Sequence, residues 1–194
     1  RNGDSGKALH FTKGGHVLVP SNAAFTPAEI SVSAWVRLDN VSADLCGSFL
    51  VDRCRDGAFM DSYIISQNDY NGYKFQTQDD RYPFFTTHIT DTYVDRAATT
   101  AIDKEAWYQL AATFKNGEMK FYINGEDVTK AGADGEIPAG AFVTLENRMD
   151  FVIGQALPNA EVPSDISWTL GHFEGAIDDI RLYKTVLTPS QIQS

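Results

Sequence analysis

Aromatic and hydrogen-bonding side chains are concentrated in two long stretches between strand-like segments, residues 78–101 and 155–172, and in a nearby turn at 68–71. Aromatic rings stack on the apolar faces of sugar rings while amides and carboxylates bond the hydroxyls, a combination that an apolar core does not need. Loops of this length are uncommon unless they have a function. The candidate ligand-contacting residues are Tyr70, Asp80, Arg81, Tyr82, His88, Trp168 and His172.

The same rings have a second interpretation, in which they pin the long loops to the body of the domain. For Phe84 and Phe85 this packing role is favoured, whereas for Tyr70, Tyr82 and Trp168 the two interpretations are balanced. Trp35 and Trp107 lie within strand-like blocks, where tryptophan is more often a core residue.

Composition excludes several classes of protein. The chain has 194 residues with 16 Lys and Arg against 26 Asp and Glu, a formal charge of −10. Phosphate backbones and anionic lipids are repelled by such a balance, so neither nucleic acid nor a membrane surface is an expected partner. No apolar run reaches the roughly 18 residues of a membrane-spanning helix. Because residue 1 is Arg rather than Met, we expect a processed chain or a module of a larger protein.

Short β-rich runs separated by turn residues predict the elements that must position these side chains. Residues 30–38 alternate, with Val32 and Val36 on one face and Ser33 and Trp35 on the other. Asn-Gly dipeptides at 71–72, 116–117 and 124–125 favour tight hairpin turns. Short helical turns are predicted at 103–106 and 188–192. The fold class is therefore all-β, a two-sheet antiparallel jelly-roll sandwich, in one domain spanning residues 1–194.

Five blocks carry a resemblance to a known family: G-K-A-L-H-F at 6–11, I-S-V-S-A-W-V at 30–36, W-Y-Q-L-A-A-T-F at 107–114, F-Y-I-N-G at 121–125 and F-E-G-A-I-D-D-I-R-L-Y at 173–183. In this order they resemble a laminin-G-like jelly-roll domain of the concanavalin A-like lectin/glucanase superfamily. The resemblance implies two curved antiparallel sheets with the first and last strands adjacent. It further implies a secreted or cell-surface module, often bacterial, that binds carbohydrate.

The resemblance also implies a structural calcium ion, held by an aspartate of the closing strand and by main-chain oxygens of the N-terminal hairpin. The matching residues are Asp178 and Gly14, with Asp4 just upstream. Asp178 shares strand parity with Ile180 and Leu182, so its carboxylate would point inward, which is costly without a cation or several hydrogen bonds. The alternative is that Asp178 caps backbone amides of the first strand.

Glucanases of this superfamily carry an E-x-D-x-E run that brings two carboxylates to one sugar about 5 Å apart. The acidic cluster of Glu174, Asp178 and Asp179 does not reproduce that spacing, and Asp179 is expected to form an exposed ion pair with Arg181. The expected function is therefore a non-catalytic carbohydrate-binding module with a glycan as partner. Two alternatives stay open, a protein–protein adhesion module and a hydrolase or lyase that uses loop carboxylates such as Asp69 or Asp79.

Overall fold

Twelve strands form two six-stranded sheets in the part of the chain that the computed structural model describes. That part comprises residues 7–12, 15–20, 22–25, 27–40, 48–54, 72–77, 81–89, 92–130, 137–141, 151–154 and 172–193. The first sheet has the order β1 (Leu9–Phe11), β12 (Glu174–Tyr183), β3 (Ile30–Asn40), β8 (Trp107–Lys115), β9 (Glu118–Ile123) and β10 (Glu126–Asp127). The second has the order β2 (Val17–Val19), β11 (Phe151–Ile153), β4 (Ser48–Cys54), β5 (Gly72–Thr77), β6 (Pro83–Ile89) and β7 (Thr92–Ala97).

The pairings between these strands are antiparallel, and β1 lies beside β12. The predicted all-β sandwich is therefore confirmed. Within the described ranges no helix is long and apolar enough to cross a bilayer.

Strand β3 shows how the sequence pattern builds the core. Val32, Ala34 and Val36 are at most 1% exposed and pack in one cluster with Phe85 and Phe151 of the second sheet. This alternation is the period of a strand with one face against the opposite sheet. The apolar face predicted for residues 30–38 is thus confirmed.

The outer face of the first sheet is partly covered by the end of the chain. Ser31 is 1% exposed; its Oγ donates to the Thr185 carbonyl (2.7 Å) and accepts from the Leu187 N–H (3.0 Å). These two bonds pin the segment that leads into the helix α1 (Pro189–Ile192). Thr188 caps that helix in a reciprocal capping box with Gln191, as Thr before Pro predicts.

Two of the predicted Asn-Gly turns are confirmed. Lys115 pairs with Glu118 across Asn116-Gly117, and both turn residues have positive φ, 49° and 82°. Asn124 and Gly125 likewise have φ of 51° and 79° between β9 and β10. At the third dipeptide Gly72 begins β5, while Asn71 lies outside the described residues.

The prediction of one long loop over residues 78–101 was wrong. β6 and β7 form a hairpin there, in which Ile89 pairs with Thr92. Threonine and aromatic residues suit a pleated, half-buried surface, but the connection carries no Asn-Gly signal. His88 is consequently a strand residue opposite Tyr93 rather than a loop residue.

The helical turn predicted at 103–106 was also wrong. Lys104 and Glu105 form a turn, with Glu105 at φ 63° in the left-handed region. The Glu105 N–H donates to the Leu38 carbonyl (2.8 Å). This N–H therefore bonds to β3 instead of to a carbonyl within a helix.

A β-bulge interrupts β12. Asp178 pairs with Trp35, whereas the next registered pair joins Arg181 to Ser33, so two residues of β12 oppose one of β3. Ile177 lies in the core before the bulge, and Ile180 and Leu182 pack against the core after it. The parity argument that turned the Asp178 carboxylate inward was therefore wrong, because the extra residue places Asp178 on the outer face.

Candidate functional site

One end of the sandwich gathers polar side chains from four parts of the chain. The Ile102 N–H donates to the Arg81 carbonyl (2.9 Å), which fixes the start of β6 beside the turn before β8. That turn is tied to β3 through Glu105, and Glu174 at the start of β12 pairs with Asn40. We call this region the loop end, and its residues are Asn40, Arg81, Tyr82, Asp103, Lys104, Glu105, His172 and Glu174.

Tyr82 and Arg81 present an aromatic ring and a guanidinium group at the loop end. Tyr82 is 41% exposed, and Arg81 Nη1 lies 3.5 Å from Asp103 Oδ1. The side chains of Arg81 and Asp103 are 37% and 78% exposed, so their ion pair contributes little to stability. Both groups can therefore exchange partners with a ligand at small cost.

Further hydrogen-bonding groups lie at the same end. Lys104 Nζ donates to Asn40 Oδ1 (3.3 Å), which places an ammonium group and an amide beside the turn. Sequence reasoning missed Asn40 and Lys104, because it predicted a helical turn where β3 holds an irregular one.

His172 lies beneath the surface rather than on it. The residue is 6% exposed, and its Nε2 is 2.9 Å from Glu174 Oε1. The Glu174 side chain is 30% exposed, so it is the carboxylate of this pair that solvent reaches. His172 is placed to hold Glu174 in position at the loop end.

A charged cluster lies on the outer face of the first sheet next to the loop end. Asp39 accepts from Arg37 through Nε (2.7 Å) and Nη2 (2.9 Å), and His10 Nε2 lies 3.0 Å from Asp39 Oδ2. The bonds from Arg37 hold the pKa of the Asp39 carboxyl below its ordinary value, while Asp39 raises the pKa of Arg37. Both groups therefore remain charged at neutral pH.

Two tryptophans expected in the core are partly exposed on this outer face. The Arg37 guanidinium lies 5.9 Å from the ring centroid of Trp107, a cation–π contact. Trp35 pairs with Gln109 on one side and Asp178 on the other. The core assignment of Trp35 and Trp107 was wrong, because both rings point away from the opposite sheet. The packing role favoured for Phe85 is confirmed, since that ring is fully buried.

The structure thus brings Arg81, Tyr82 and His172 together and leaves the other predicted contacts open. Tyr70, Asp80 and Trp168 lie outside the described residues, as do Asp4 and Gly14. His88 lies on β6, but its side chain is not described. These assignments stay predictions.

Asp178 lies away from the end of β1, the strand that precedes the N-terminal hairpin turn. Leu9 and Phe11 of β1 pair with Ile177 and Gly175, so the last residue of β1 lies opposite Gly175. Three residues of strand separate Gly175 from Asp178, about 10 Å. Two oxygens on one calcium lie within about 5 Å of each other. In the described part of the chain, no three His, Cys, Asp or Glu side chains are grouped to hold a metal.

We therefore expect Asp178→Asn to leave any calcium dependence of stability unchanged. Asp178 Oδ1 accepts from the Asp179 N–H (2.9 Å), a bond that an asparagine oxygen preserves. The measurement is thermal melting of both proteins in calcium and in chelator. A calcium-dependent rise in Tm that the substitution abolishes would contradict this placement. The same curves test calcium binding itself, which stays a prediction.

Comparison with protein families gives a match over nearly the whole chain. A laminin-G family profile, described as the concanavalin A-like lectin/glucanases superfamily, matches residues 11–193. Among curated proteins, the adhesion G-protein coupled receptor V1 of Danio rerio is 25% identical over 144 residues, which is 68% of this chain. The chain spans about 2% of that receptor's length.

Solved structures share the fold. Domain 4 of AbnA, a GH43 extracellular arabinanase of Geobacillus stearothermophilus solved in complex with arabinotriose, has a TM-score of 0.64 at 21% identity, covering 100% of this chain and 78% of that one. A putative carbohydrate binding protein of Bacteroides ovatus has a TM-score of 0.58 at 13% identity, covering 96% of this chain and 45% of that one. At these identities the likeness establishes the architecture alone.

Proposed function

The chain belongs to the concanavalin A-like lectin/glucanases superfamily, and on that premise we propose that it is a non-catalytic carbohydrate-binding module. Its binding surface is the loop end, and its ligand is a glycan. The observation that carries this proposal is that the exposed Tyr82 directly follows Arg81, which forms an ion pair with Asp103 at the loop end.

Tyr82 is an exposed aromatic residue next to charged groups. Large hydrophobic side chains with substantial exposure are few among the described residues: Leu9, Leu18 and Tyr82. Of these only Tyr82 is aromatic, and it directly follows Arg81, whose guanidinium group pairs with Asp103. A ring for stacking with hydrogen-bonding groups at its edge is the combination that sugar recognition requires.

The similar structures support the ligand class and the setting. The arabinanase domain was solved with arabinotriose, and the Bacteroides ovatus protein is named as a putative carbohydrate binding protein. Arabinotriose is therefore the first probe. Because that arabinanase is extracellular, we propose that this module also acts outside the cell, as one domain of a larger secreted or surface protein.

A protein-adhesion role is the second candidate function. Leu9 and Leu18 are 58% and 41% exposed on β1 and β2, which are edge strands of the two sheets. Exposed apolar residues on edge strands favour contact with another protein. The zebrafish receptor is named an adhesion receptor, which supports this role weakly at 25% identity.

Tyr82→Ala tests the glycan proposal. We expect retention on a binding polysaccharide to weaken about 10- to 100-fold, since burying such a ring contributes about 1.5–3 kcal/mol. The Tm should change little, because the ring is exposed in the free protein. Retention is measured by affinity electrophoresis in gels containing arabinan, and by a glycan array for other ligands.

Leu18→Ala is the matched control, since Leu18 is also 41% exposed but lies on β2. It should leave glycan retention unchanged. Full retention by the Tyr82 variant would contradict the loop end as the site. If the unmutated chain binds no glycan in either assay, the adhesion role would be favoured. Release of reducing sugar from a retained polysaccharide would contradict the non-catalytic assignment.

A further inference from the structure

A second concave surface lies on the outer face of the first sheet, away from the loop end. It is a shallow depression that is open to solvent. We call it the outer groove, and its polar and aromatic lining consists of Trp35, Gln109, Asp179, Arg181, Tyr183 and Gln191.

The sheet register explains how the outer groove forms. Trp35 lies between Gln109 and Asp178, and the next outward-facing row on these strands joins Arg181, Ser33 and Ala111. Because the side chains of Ser33 and Ala111 are small, they project less from the sheet than the large ring of Trp35 beside them. The far wall is the C-terminal segment, where Leu187 and Ile192 pack on Ala111. A ring on one side and the helix on the other leave a depression between them.

The β-bulge supplies the acidic group of the outer groove. In a regular strand residue 179 would face the core, as Ile177 does two positions earlier. Here Asp179 takes φ 54°, and its Oδ2 lies 3.2 Å from Arg181 Nη2. A non-glycine residue in the left-handed region costs free energy, and bulges often redirect a side chain next to a binding site.

Hydrogen bonds hold the other polar groups in place. Gln109 Nε2 donates to the Ile192 carbonyl (2.5 Å), which directs the amide between the sheet and α1. The Tyr183 phenol hydrogen-bonds the Arg181 guanidinium, and this bond together with Asp179 raises the pKa of Arg181. The Arg181 guanidinium therefore stays charged at neutral pH, with the Asp179 side chain beside it.

We propose that the outer groove is a second saccharide-binding site, on which a neutral sugar ring lies at the surface. Trp35 provides the apolar wall for a sugar ring, and Asp179, Arg181 and Gln109 bond its hydroxyls. The two charges of the lining cancel, and the chain as a whole carries −10, which disfavours an anionic glycan. The outer groove is a shallow depression that is open to solvent, so a sugar ring would lie across it rather than be enclosed by it.

This inference goes beyond the loop end and does not depend on it. Two sites on one domain would make binding to a polymer tighter than binding to either site alone. The proposals for the loop end and for the outer groove can therefore be contradicted independently, so the experiment must measure binding at each surface separately.

Fluorine NMR of the whole chain labelled with 5-fluorotryptophan tests the outer groove without altering it. The chain has three tryptophans, so three signals are expected, each assigned by a Trp→Phe substitution. The probes are arabinotriose, cellotriose, xylotriose and galactose. We expect at least one of them to shift the Trp35 signal to saturation while the Trp107 signal stays in place. A Trp35 signal that no probe moves would overturn the proposal, as would equal shifts of Trp35 and Trp107.

Arg181→Gln supplies the second arm. It should raise the midpoint of the Trp35 titration at least tenfold, while Tyr82→Ala leaves that midpoint unchanged. Lys115→Gln is the control, because Lys115 is also an exposed cation of the first sheet, paired with Glu29 at 2.9 Å but outside the groove lining. Loss of the Trp35 shift in the Tyr82 variant would mean one site and overturn the second. If the Trp35 signal titrates normally and Tyr82→Ala retains polysaccharide as well as the unmutated chain, the loop end is refuted and the outer groove stands.

Discussion

Phe85→Ala is expected to lower the free energy of unfolding by about 3–5 kcal/mol, the range for removing a buried aromatic ring from a packed core. Phe85 is fully buried and belongs to the cluster that joins the two sheets. Its loss removes apolar contact and leaves a cavity that neighbouring strands fill only in part. For a chain of this size the change corresponds to a fall in Tm of about 6–20 °C.

Phe84→Ala is the matched control for that prediction. The two phenylalanines are adjacent on β6 and therefore point to opposite faces, and Phe84 is only partly buried. We expect the Phe84 variant to lose about 1 kcal/mol or less. Chemical denaturation of both variants measures the difference. Equal losses would contradict the β6 register and favour the irregular loop that the sequence suggested.

Gly175→Ala is expected to cost about 3 kcal/mol, the upper part of the usual range for overpacking. A Cβ at this position would overlap the Arg37 carbonyl oxygen and approach the backbone nitrogen of Asp39 at 3.1 Å. These are backbone atoms of β3, so no side-chain rotation relieves the overlap. The strand pairing also shifts register between Glu174 and Gly175, which is how β12 comes so close to β3.

Gly140→Ala provides the comparison. Gly140 has φ 81°, but a Cβ there meets nothing within 4 Å. Its expected cost is about 1 kcal/mol, since only the left-handed conformation is penalised. Melting curves of the two variants separate steric overlap from backbone preference. A Gly175 variant as stable as the Gly140 variant would show that β12 can move away from β3.

Local sequence signals predicted most of the architecture. The alternation over 30–38 and the Asn-Gly pairs at 116–117 and 124–125 each depend on neighbouring residues alone, and each was confirmed. The hairpin of β6 and β7 was missed because its connection lacks such a dipeptide. The β-bulge at Asp179 was missed because a parity argument assumes an uninterrupted strand, and nothing in the sequence marks where one extra residue enters.

The candidate site was predictable only in part. Arg81 and Tyr82 stand out as polar and aromatic neighbours in the sequence, and the structure does bring them to one end with His172. Asn40 and Lys104 are 64 positions apart, and their contact depends on β3 capturing the Glu105 N–H. Long-range docking of a turn leaves no local pattern. Trp35 illustrates a different error, since the alternation already placed it opposite Val36, and only its residue type argued for the core.

The position of β12 also has a kinetic consequence. This strand, the last in chain order of those described, lies between β1 and β3, so the first sheet joins residues that are far apart in the sequence. Pairings of such large sequence separation give a high contact order, and the loop-closure entropy slows folding. Before β12 is synthesised, β1 lacks the strand beside which it lies and β3 has one edge unpaired. The first sheet is therefore expected to form only after β12 has left the ribosome.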